Sequence, residues 1–186
     1  MDEKRTVKTS KRLSRILRHD PASVGITLDE AGWVRVDALL AALARHGGGL
    51  SRAELEIVVG TNNKRRFAFS DDGLSIRASQ GHSVAVDLGL TATVPPPVLY
   101  HGTATRSLDA IFREGLRPMS RRDVHLSADT ETAVRVGSRH GRPVVLSVDA
   151  TAMAAAGHEF RLSANGVWLT DAVAPQYLAR PAGAGG

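Results

Sequence analysis

The pattern of hydrophobic and polar positions predicts a first helix over about Val7–Arg18. Apolar side chains recur along this segment at the spacing of one helix face. After it, residues 26–36 alternate between apolar and polar side chains around a turn at Asp29–Gly32. The apolar face of the predicted helix consists of Val7, Leu13, Ile16 and Leu17.

Two shorter helices are predicted from the residues that begin and end them. Asp37 can cap a helix that runs to the glycines of residues 47–49. Ser51–Glu54 has the sequence of a capping box, in which two side chains satisfy backbone N–H groups at the start of a helix. The helix that it opens reaches about Val59.

A hairpin is predicted after these helices. Residues 65–78 contain two alternating segments separated by a turn at Asp72–Gly73. Three helices followed by a two-stranded wing resemble a winged-helix module, and by analogy this fold suggests a role in nucleic-acid binding.

Three consecutive prolines mark the boundary between two predicted lobes. They exclude a helix or a central strand and form a stiff spacer, so residues 91–97 are predicted as a linker after a lobe of residues 1–90. Short strands and helices alternate over residues 98–180, and residues 181–186 are predicted to be flexible. The predicted strands contain VLYHG, VHLS, PVVLSVDA, HEFRLSA and VWLT, and the predicted helices contain RSLDAIFREG, DTETAVRVGSRHG and, as a helix or a turn, TAMAAAG.

Composition narrows the class of protein. The chain has 186 residues, of which 42% are hydrophobic, and it has no cysteine, which excludes disulfides and cysteine-ligated zinc. It shows neither a signal peptide nor an apolar run long enough to span a bilayer, so a cytoplasmic protein without membrane contact is expected. The sequence has no P-loop and no H-E-x-x-H motif, and its seven histidines lack the spacing of metal ligands.

The net charge of +5 comes from one end of the chain. Residues 1–18 contain seven Lys or Arg and two acidic residues, whereas the charges of the remaining residues balance. A basic segment of this kind suits a polyanionic partner, and the alternative is an ordinary solvated helix face. Charge alone favours neither.

Arg18 and His19 stand side by side where the first predicted helix must stop, because Pro21 disfavours a helical residue before it. Capping alone would explain them, since cationic side chains stabilise the negative end of a helix dipole. Arginine also suits phosphate, because its planar fork donates two parallel hydrogen bonds. Arginines from three segments, here Arg18, residues 63–67 and residues 120–127, would form a metal-free phosphate clamp if they met, and the alternative is that each is a surface residue.

A second group of candidates lies on the predicted strands of the second lobe. His101 and His125 are such residues, although a histidine on a strand is more often part of the core. Gly102 lets a planar ligand approach the backbone, whose N–H and C=O can pair with a carboxamide. The Thr103 hydroxyl adds one more polar contact.

Taken together, these segments resemble the RNA 2′-phosphotransferase family, the Tpt1/KptA enzymes. The resemblance extends over about residues 9–178, and Ile76–Ser83 is a particularly specific part of it, because periodicity gives no reason for the Gln-Gly-His-Ser sequence that ends it. The segments that carry the resemblance, in the family's order, are LSRILRHDP, GWVRVDALL, NKRRFAFS, IRASQGHS, LYHGT, VHLS and NGVWLT.

The resemblance implies an α+β fold with an N-terminal winged-helix-like lobe that binds RNA and a C-terminal ADP-ribosyltransferase-like lobe that binds NAD⁺. It implies that an internal RNA 2′-phosphate attacks C1″ of the nicotinamide ribose and expels nicotinamide. The 2″-hydroxyl then attacks the phosphorus, which releases RNA with a 2′-hydroxyl and ADP-ribose 1″,2″-cyclic phosphate. The family acts in tRNA splicing and RNA repair chemistry without a metal, and a monomer is expected here.

The resemblance also implies the site residues. Arg66 is chosen over Arg65 because it directly precedes the aromatic residue of its motif, and Arg121 is chosen over Arg122 because it fits the R-x-x-V-H pattern. The implied catalytic tetrad consists of Arg18, His19, Arg66 and Arg121. The implied NAD⁺-binding residues are His101, Gly102, Thr103, His125, Ser127 and Val167.

Three positions refine this reading and leave alternatives open. Val167 stands where many protein-modifying ADP-ribosyltransferases have a catalytic glutamate, which fits an acceptor that is already anionic. Asn63 replaces a frequent aspartate and Ser79 a frequent asparagine, so details of RNA contact stay open. Two other functions also stay open: an enzyme that ADP-ribosylates a 5′-phosphate end and stops there, and a non-catalytic winged-helix regulator.

Overall fold

The computed structural model describes residues 1–61 and 65–180. The chain divides into two compact units, one of Met1–Gly89 and one that begins at Leu90. Within the described residues the fold is mixed α+β, as predicted, with three small sheets of three strands each. Two predictions, those for Asn63 and for the end at residues 181–186, lie outside the described residues.

The first helix, α1 (Glu3–Arg18), begins four residues earlier than predicted. The carboxylate of Asp2 caps it by accepting a hydrogen bond from the Arg5 backbone N–H at 2.7 Å. Three of the four predicted apolar residues are buried, but Val7 is 48% exposed, and Ser10 is buried instead. Val7 is exposed because it lies about a third of a turn away from the apolar stripe.

The next two helices, α2 (Val36–Arg45) and α3 (Arg52–Gly60), match the predicted segments. Asp37 does not cap α2 but lies in its first turn, where its carboxylate pairs with the preceding arginine. The capping box at the start of α3 is confirmed in both directions, between Ser51 and Glu54.

The sheet of the first unit has three strands, not the two of the predicted wing. The hairpin strands β2 (Phe67–Phe69) and β3 (Ser75–Ala78) pair as predicted, and β1 (Val34–Arg35) pairs with the other edge of β3. The end of the alternating segment before α2 therefore forms a strand of the sheet. Helices and sheet enclose a core that includes the almost completely buried Leu13, Leu17, Leu39, Leu43, Leu55 and Ile76.

The second unit contains two antiparallel sheets. One has the strand order β4-β6-β9 and the other β5-β8-β7, and a bridge between Tyr100 and Ser127 joins β4 to the end of β5. The elements in chain order are β4 (Val98–Ala104), α4 (Leu108–Glu114), β5 (Val124–Leu126), α5 (Thr130–Gly137), β6 (Pro143–Asp149), α6 (Ala150–Ala155), β7 (Arg161–Leu162), β8 (Trp168–Thr170) and β9 (Leu178–Ala179).

Most elements of the second unit agree with the predicted segments. TAMAAAG forms a helix, HEFRLSA contributes only two residues to a strand, and β9 was not predicted. The predicted linker packs on this unit: Thr93 N–H donates to the Phe160 carbonyl at 2.7 Å, and Ala150 N–H donates to the Pro97 carbonyl at 3.1 Å. In the described part of the chain, no helix is long and apolar enough to cross a membrane.

Candidate active site

Helix α1 ends at Arg18 as predicted, and a distant loop closes this end. The backbone N–H of Ser83 donates to the Arg18 carbonyl at 2.9 Å, and that of Val84 donates to the same oxygen at 3.3 Å. The Ser83 hydroxyl lies 2.9 Å from Nδ1 of His19. Because the last carbonyls of a helix have no partner within it, the loop supplies one and fixes the chain where Arg18 and His19 emerge.

Arg66 lies next to Arg18 in the first unit. Its carbonyl accepts a hydrogen bond from Ser79 N–H at 2.9 Å and lies 3.5 Å from Nη2 of Arg18. The Ser79 hydroxyl donates to the Arg65 carbonyl at 2.7 Å. The loop after β3 therefore brings together three of the four predicted tetrad residues, Arg18, His19 and Arg66.

An unusual backbone conformation lies just before two of the predicted tetrad arginines, Arg66 and Arg121. Among the described residues other than glycine, Arg65 and Met119 have a positive φ, of +40° and +43°. Arg65 directly precedes Arg66, and Met119 lies two residues before Arg121. This conformation costs about 1–2 kcal/mol outside glycine, and such strain concentrates at functional sites.

In the second unit, Arg121 belongs to a cluster with both predicted histidines. Its Nη1 lies 3.0 Å from Nδ1 of His125, and Nδ1 of His101 lies 3.1 Å from the His125 carbonyl. A guanidinium only donates and a carbonyl only accepts, so the neutral ring of His125 carries its proton on Nε2 and that of His101 on Nδ1.

Burial sets the ionisation of this cluster. It lowers the pKa of His101, although the hydrogen bond to His125 opposes the effect, so His101 is neutral near pH 7. Burial, together with repulsion from Arg139, also lowers the pKa of Arg121, which stays protonated at neutral pH. The cluster thus combines one cation with a neutral imidazole.

Ion pairs hold the chain between Arg121 and His125. Nη2 of Arg161 lies 3.1 Å from the Asp123 carboxylate and also pairs with Asp171. Burial raises the pKa of Asp123, and the charge of Arg161 counteracts this effect. The segment that carries the predicted fourth arginine is therefore tied to β7 and to the chain after β8.

The backbone N–H and C=O of Gly102 point to the edge of β4 that does not pair with β6. Tyr100 exchanges both backbone hydrogen bonds with Ser127, and Thr105 N–H donates to the Arg142 carbonyl on the β6 side. Since backbone groups alternate between the two edges of an antiparallel strand, the N–H and C=O of Gly102 point to the same edge as those of Tyr100. Two parallel polar groups at this edge fit a carboxamide.

Gly102 also has a packing role that the sequence did not indicate. A Cβ atom here would lie 1.7 Å from the Ala133 carbonyl oxygen of α5, and a Cβ at Gly137 would lie 2.6 Å from the Thr103 carbonyl oxygen. Strand β4 and helix α5 therefore approach backbone to backbone. The glycine that the sequence assigned to a ligand contact is therefore also required for the packing of the helix behind it.

The structure places the other predicted NAD⁺-binding residues in less specific settings. Thr103 is buried, and Ser127 takes part in the bridge between the two sheets. Val167 lies one residue before β8 and not within it, because its backbone closes the turn with Ser163 through hydrogen bonds of 2.9 and 3.0 Å. Their roles toward NAD⁺ stay predictions.

Similar proteins and a matching family model identify the family of this chain. A model of the family described as "RNA 2′-phosphotransferase, Tpt1 / KptA family" matches residues 4–172. This chain belongs to the RNA 2′-phosphotransferase family. It is 62% identical to a probable RNA 2′-phosphotransferase of Streptomyces coelicolor, over 98% of this chain and 99% of the relative. It is 57% identical to one of Hahella chejuensis, over 96% of this chain and 95% of the relative.

The contacts of two residues of this family member with the predicted tetrad were not predicted. Ser79 and Ser83 make these contacts, whereas the sequence linked Ser79 only to RNA contact and showed for Ser83 only that its motif, Ile76–Ser83, lacked an explanation from periodicity. An unexplained polar motif was therefore the available signal. Within the described ranges, no group of three or more His, Asp or Glu residues could hold a metal ion.

Proposed function

We propose that this protein is an NAD⁺-dependent RNA 2′-phosphotransferase that removes an internal 2′-phosphate from RNA. The observation that carries the proposal is the grouping of Arg18, His19 and Arg66 around one loop of the first unit. Arginine and histidine side chains together suit a phosphoryl group, because guanidinium groups bind its oxygens while an imidazole exchanges a proton. Membership of the family supports the same substrate.

In the first step, an oxygen of the RNA 2′-phosphate attacks C1″ of the nicotinamide ribose. A C–O bond forms, the C–N bond breaks, and nicotinamide leaves with the bonding electrons. The phosphate is its own nucleophile, so the step needs no general base. The backbone edge at Gly102 supports this proposal, since its N–H and C=O fit the carboxamide of nicotinamide.

In the second step, the 2″-hydroxyl attacks the phosphorus, and the bond from phosphorus to the RNA 2′-oxygen breaks. The 2″-hydroxyl loses a proton and the departing 2′-oxygen gains one, and His19 is assigned this exchange. Charge that builds on the phosphoryl oxygens is stabilised by Arg18 and Arg66, with Arg121 as the fourth member that the resemblance assigns. The products are RNA with a 2′-hydroxyl and ADP-ribose 1″,2″-cyclic phosphate.

The first unit also carries a basic stripe that suits an RNA backbone. Its members are exposed and recur every three or four residues, so they line one side of α1, opposite the buried face, over about 16 Å. Among the described residues, no carboxylate lies within ion-pair distance of its three lysines. The basic stripe consists of Lys4, Lys8, Lys11 and Arg15.

Other basic residues of α1 are engaged within the unit. Arg5 pairs with Glu54 at 2.8 Å, and Nη2 of Arg12 donates to the His46 carbonyl at 3.0 Å. These two arginines hold α1 to its neighbours, whereas the lysines of the basic stripe point to solvent. The distinction offers a matched control for RNA binding.

The decisive assay is release of nicotinamide from NAD⁺, with and without 2′-phosphorylated RNA. Release that requires the 2′-phosphate, with the cyclic phosphate as second product, is expected. No release would instead indicate a non-catalytic regulator. A stable ADP-ribosylated 5′ end, with the 2′-phosphate untouched, would indicate an enzyme that modifies nucleic-acid ends.

Single-turnover experiments with labelled RNA separate the two steps. Arg18→Ala and His19→Ala are expected to slow the second step more than the first, because proton exchange and phosphoryl charge matter most there. RNA joined to ADP-ribose should then accumulate. His101→Ala is expected to slow the first step instead, and slow variants of Arg18 and His19 that never build up this species would contradict the assignment.

Salt dependence tests the basic stripe. Lys8→Gln with Lys11→Gln should lower the slope of log K against log salt by roughly 0.7–0.9 for each RNA phosphate that the protein no longer neutralises. Arg5→Gln with Arg12→Gln removes the same charge from the same helix and should leave the slope almost unchanged. Equal slopes for the two double variants would show that the basic stripe contributes only through its net charge.

A further inference from the structure

Ser83 contacts the end of helix α1 through both its backbone and its side chain. Its N–H donates to the Arg18 carbonyl at 2.9 Å, and its Oγ lies 3.5 Å from the same oxygen. The same Oγ lies 2.9 Å from Nδ1 of His19. One serine therefore touches the backbone of one predicted tetrad residue and the side chain of the next.

The chemistry of a hydroxyl links the directions of these two contacts. A serine hydroxyl donates one hydrogen bond and accepts others through its lone pairs. Because the Arg18 carbonyl can only accept, a Ser83 proton directed to it leaves the Ser83 oxygen to accept from Nδ1–H of His19, whereas a Ser83 proton directed to Nδ1 would put the ring proton on Nε2. In the first arrangement the neutral His19 ring carries its proton on Nδ1, and Nε2 becomes the atom that takes up and returns a proton.

The rest of the loop places this hydroxyl before any ligand binds. Gly81 has a φ of +83°, which turns the chain, and His82 and Ser79 are buried beside it. The Val84 N–H adds a second backbone bond to the Arg18 carbonyl. Although Ser83 is exposed to water, its position is fixed by backbone bonds and not by its own side chain, so the hydroxyl is pre-organised toward His19.

We propose that Ser83 is a positioning residue that sets the Nδ1–H tautomer of His19 and so makes Nε2 its proton-exchanging atom. The proposal rests on the proposed function in one respect, the assignment of the proton exchange of the second step to His19. In that step Nε2 takes the proton of the 2″-hydroxyl and gives it to the departing RNA 2′-oxygen, so that the ring ends as it began. Ser83 itself gains and loses nothing.

The test combines a spectroscopic and a kinetic measurement on three variants of the full chain. Ser83→Ala keeps both backbone bonds but removes the hydroxyl, and Ser83→Thr keeps the hydroxyl. Ser23→Ala is the matched control, because the Ser23 hydroxyl donates to the Asp20 carbonyl and does not touch His19. The tautomer of His19 is measured by long-range ¹H–¹⁵N correlation at a pH where the ring is neutral, with signals assigned by their loss in His19→Gln.

The wild-type protein is expected to show the Nδ1–H form of His19, and Ser83→Ala to shift the ring toward the Nε2–H form. The second step of single turnover should then slow by about 10- to 100-fold, by analogy with the loss of a partner that orients a metal-ligating histidine. The KM for NAD⁺ should stay unchanged. Ser83→Thr should restore the tautomer and most of the rate, and Ser23→Ala should match wild type in both measurements.

Three results would overturn the proposal. The first is a wild-type protein that shows the Nε2–H form of His19, which would mean that Ser83 donates to Nδ1. The second is an unchanged His19 tautomer in Ser83→Ala, which would show that the hydroxyl only fastens the loop to the helix. The third is a changed tautomer with an unchanged second step. A wild-type protein that releases no nicotinamide would count against the proposed function, and the spectra would still decide whether Ser83 sets the His19 tautomer.

Discussion

The two units of this protein fix their predicted phosphate-binding arginines by different forces. In the first unit, Arg18 and Arg66 are held by neutral hydrogen bonds from Ser79, Ser83 and Val84 to backbone carbonyls. In the second unit, the chain that carries Arg121 is held by an ion pair and by a partly buried histidine. Ion pairs respond to salt and buried histidines respond to acid, whereas backbone bonds respond to neither. The two clusters should therefore fail under different changes.

The largest effect is expected from a glycine on which the second cluster depends. Gly102→Ala would drive a Cβ atom to 1.7 Å from the Ala133 carbonyl oxygen, and a helix backbone cannot yield as a flexible side chain can. We expect a loss of more than about 3 kcal/mol in the stability of the second unit. Fluorescence of the buried Trp168 during denaturation, in a Trp33→Phe background, measures it.

The matched change in the first unit is Gly49→Ala. A Cβ atom at Gly49 would meet nothing within 4 Å, and its φ is not in the left-handed region. Its stability should stay close to wild type. A Gly102→Ala protein that unfolds like Gly49→Ala would show that β4 and α5 can separate without cost, and the packing role of Gly102 would be wrong.

Local signals explain how much of both units the sequence predicted. The capping box of α3, the turn at Asp72–Gly73 and the apolar segment that forms β6 are each signals carried by a few neighbouring residues. The Asp2 cap of α1 was also a local signal, and it was overlooked. By contrast, the two-residue strand β1 depends on pairing with a strand about forty residues away, which local propensity does not reveal.

The candidate site shows the same limit. Motif resemblance singled out Arg18, His19 and Arg66, but their mutual contacts arise only when the loop after β3 folds back onto α1. Gly102 was expected to admit a ligand, and the helix behind it became visible only in the fold. Residues whose reason is tertiary packing leave no periodic signal in the sequence.

The next effect in size separates adjacent arginines within the first cluster. Arg66→Ala should slow single turnover by roughly 30- to 1,000-fold, the cost of about 2–4 kcal/mol for removing one charge-stabilising donor. Arg65→Gly should keep most of the activity, because glycine adopts the φ of +40° without strain. If Arg65→Gly is the slower of the two enzymes, the position assigned to the third tetrad member is wrong.

Removing the ion pair should weaken the second cluster specifically. Arg161→Met leaves the partly buried Asp123 carboxylate without its partner, and we expect a loss of about 1–3 kcal/mol from the second unit. Adding Asp123→Asn should recover much of this loss, since no buried charge then remains. Denaturation followed by the fluorescence of Trp168 and, in a separate background, of Trp33 tests both statements. An equal loss of stability in the two units would contradict the proposed difference between the two clusters.

The smallest effect concerns acid and arises from His101. Its pKa in the folded state lies below the ordinary value of 6.5, so unfolding at low pH is accompanied by proton uptake. The stability that it contributes is present above pH 6.5 and is lost as the pH falls through the folded pKa, with a slope of at most about 1.4 kcal/mol per pH unit for one proton. His101→Gln keeps an N–H donor for the His125 carbonyl but does not titrate. The stability of the second unit, followed by Trp168, should therefore fall less steeply with acid in His101→Gln than in wild type. If the slopes of wild type and His101→Gln coincide, the acid sensitivity of this unit has another source, and the buried histidine no longer distinguishes the two clusters.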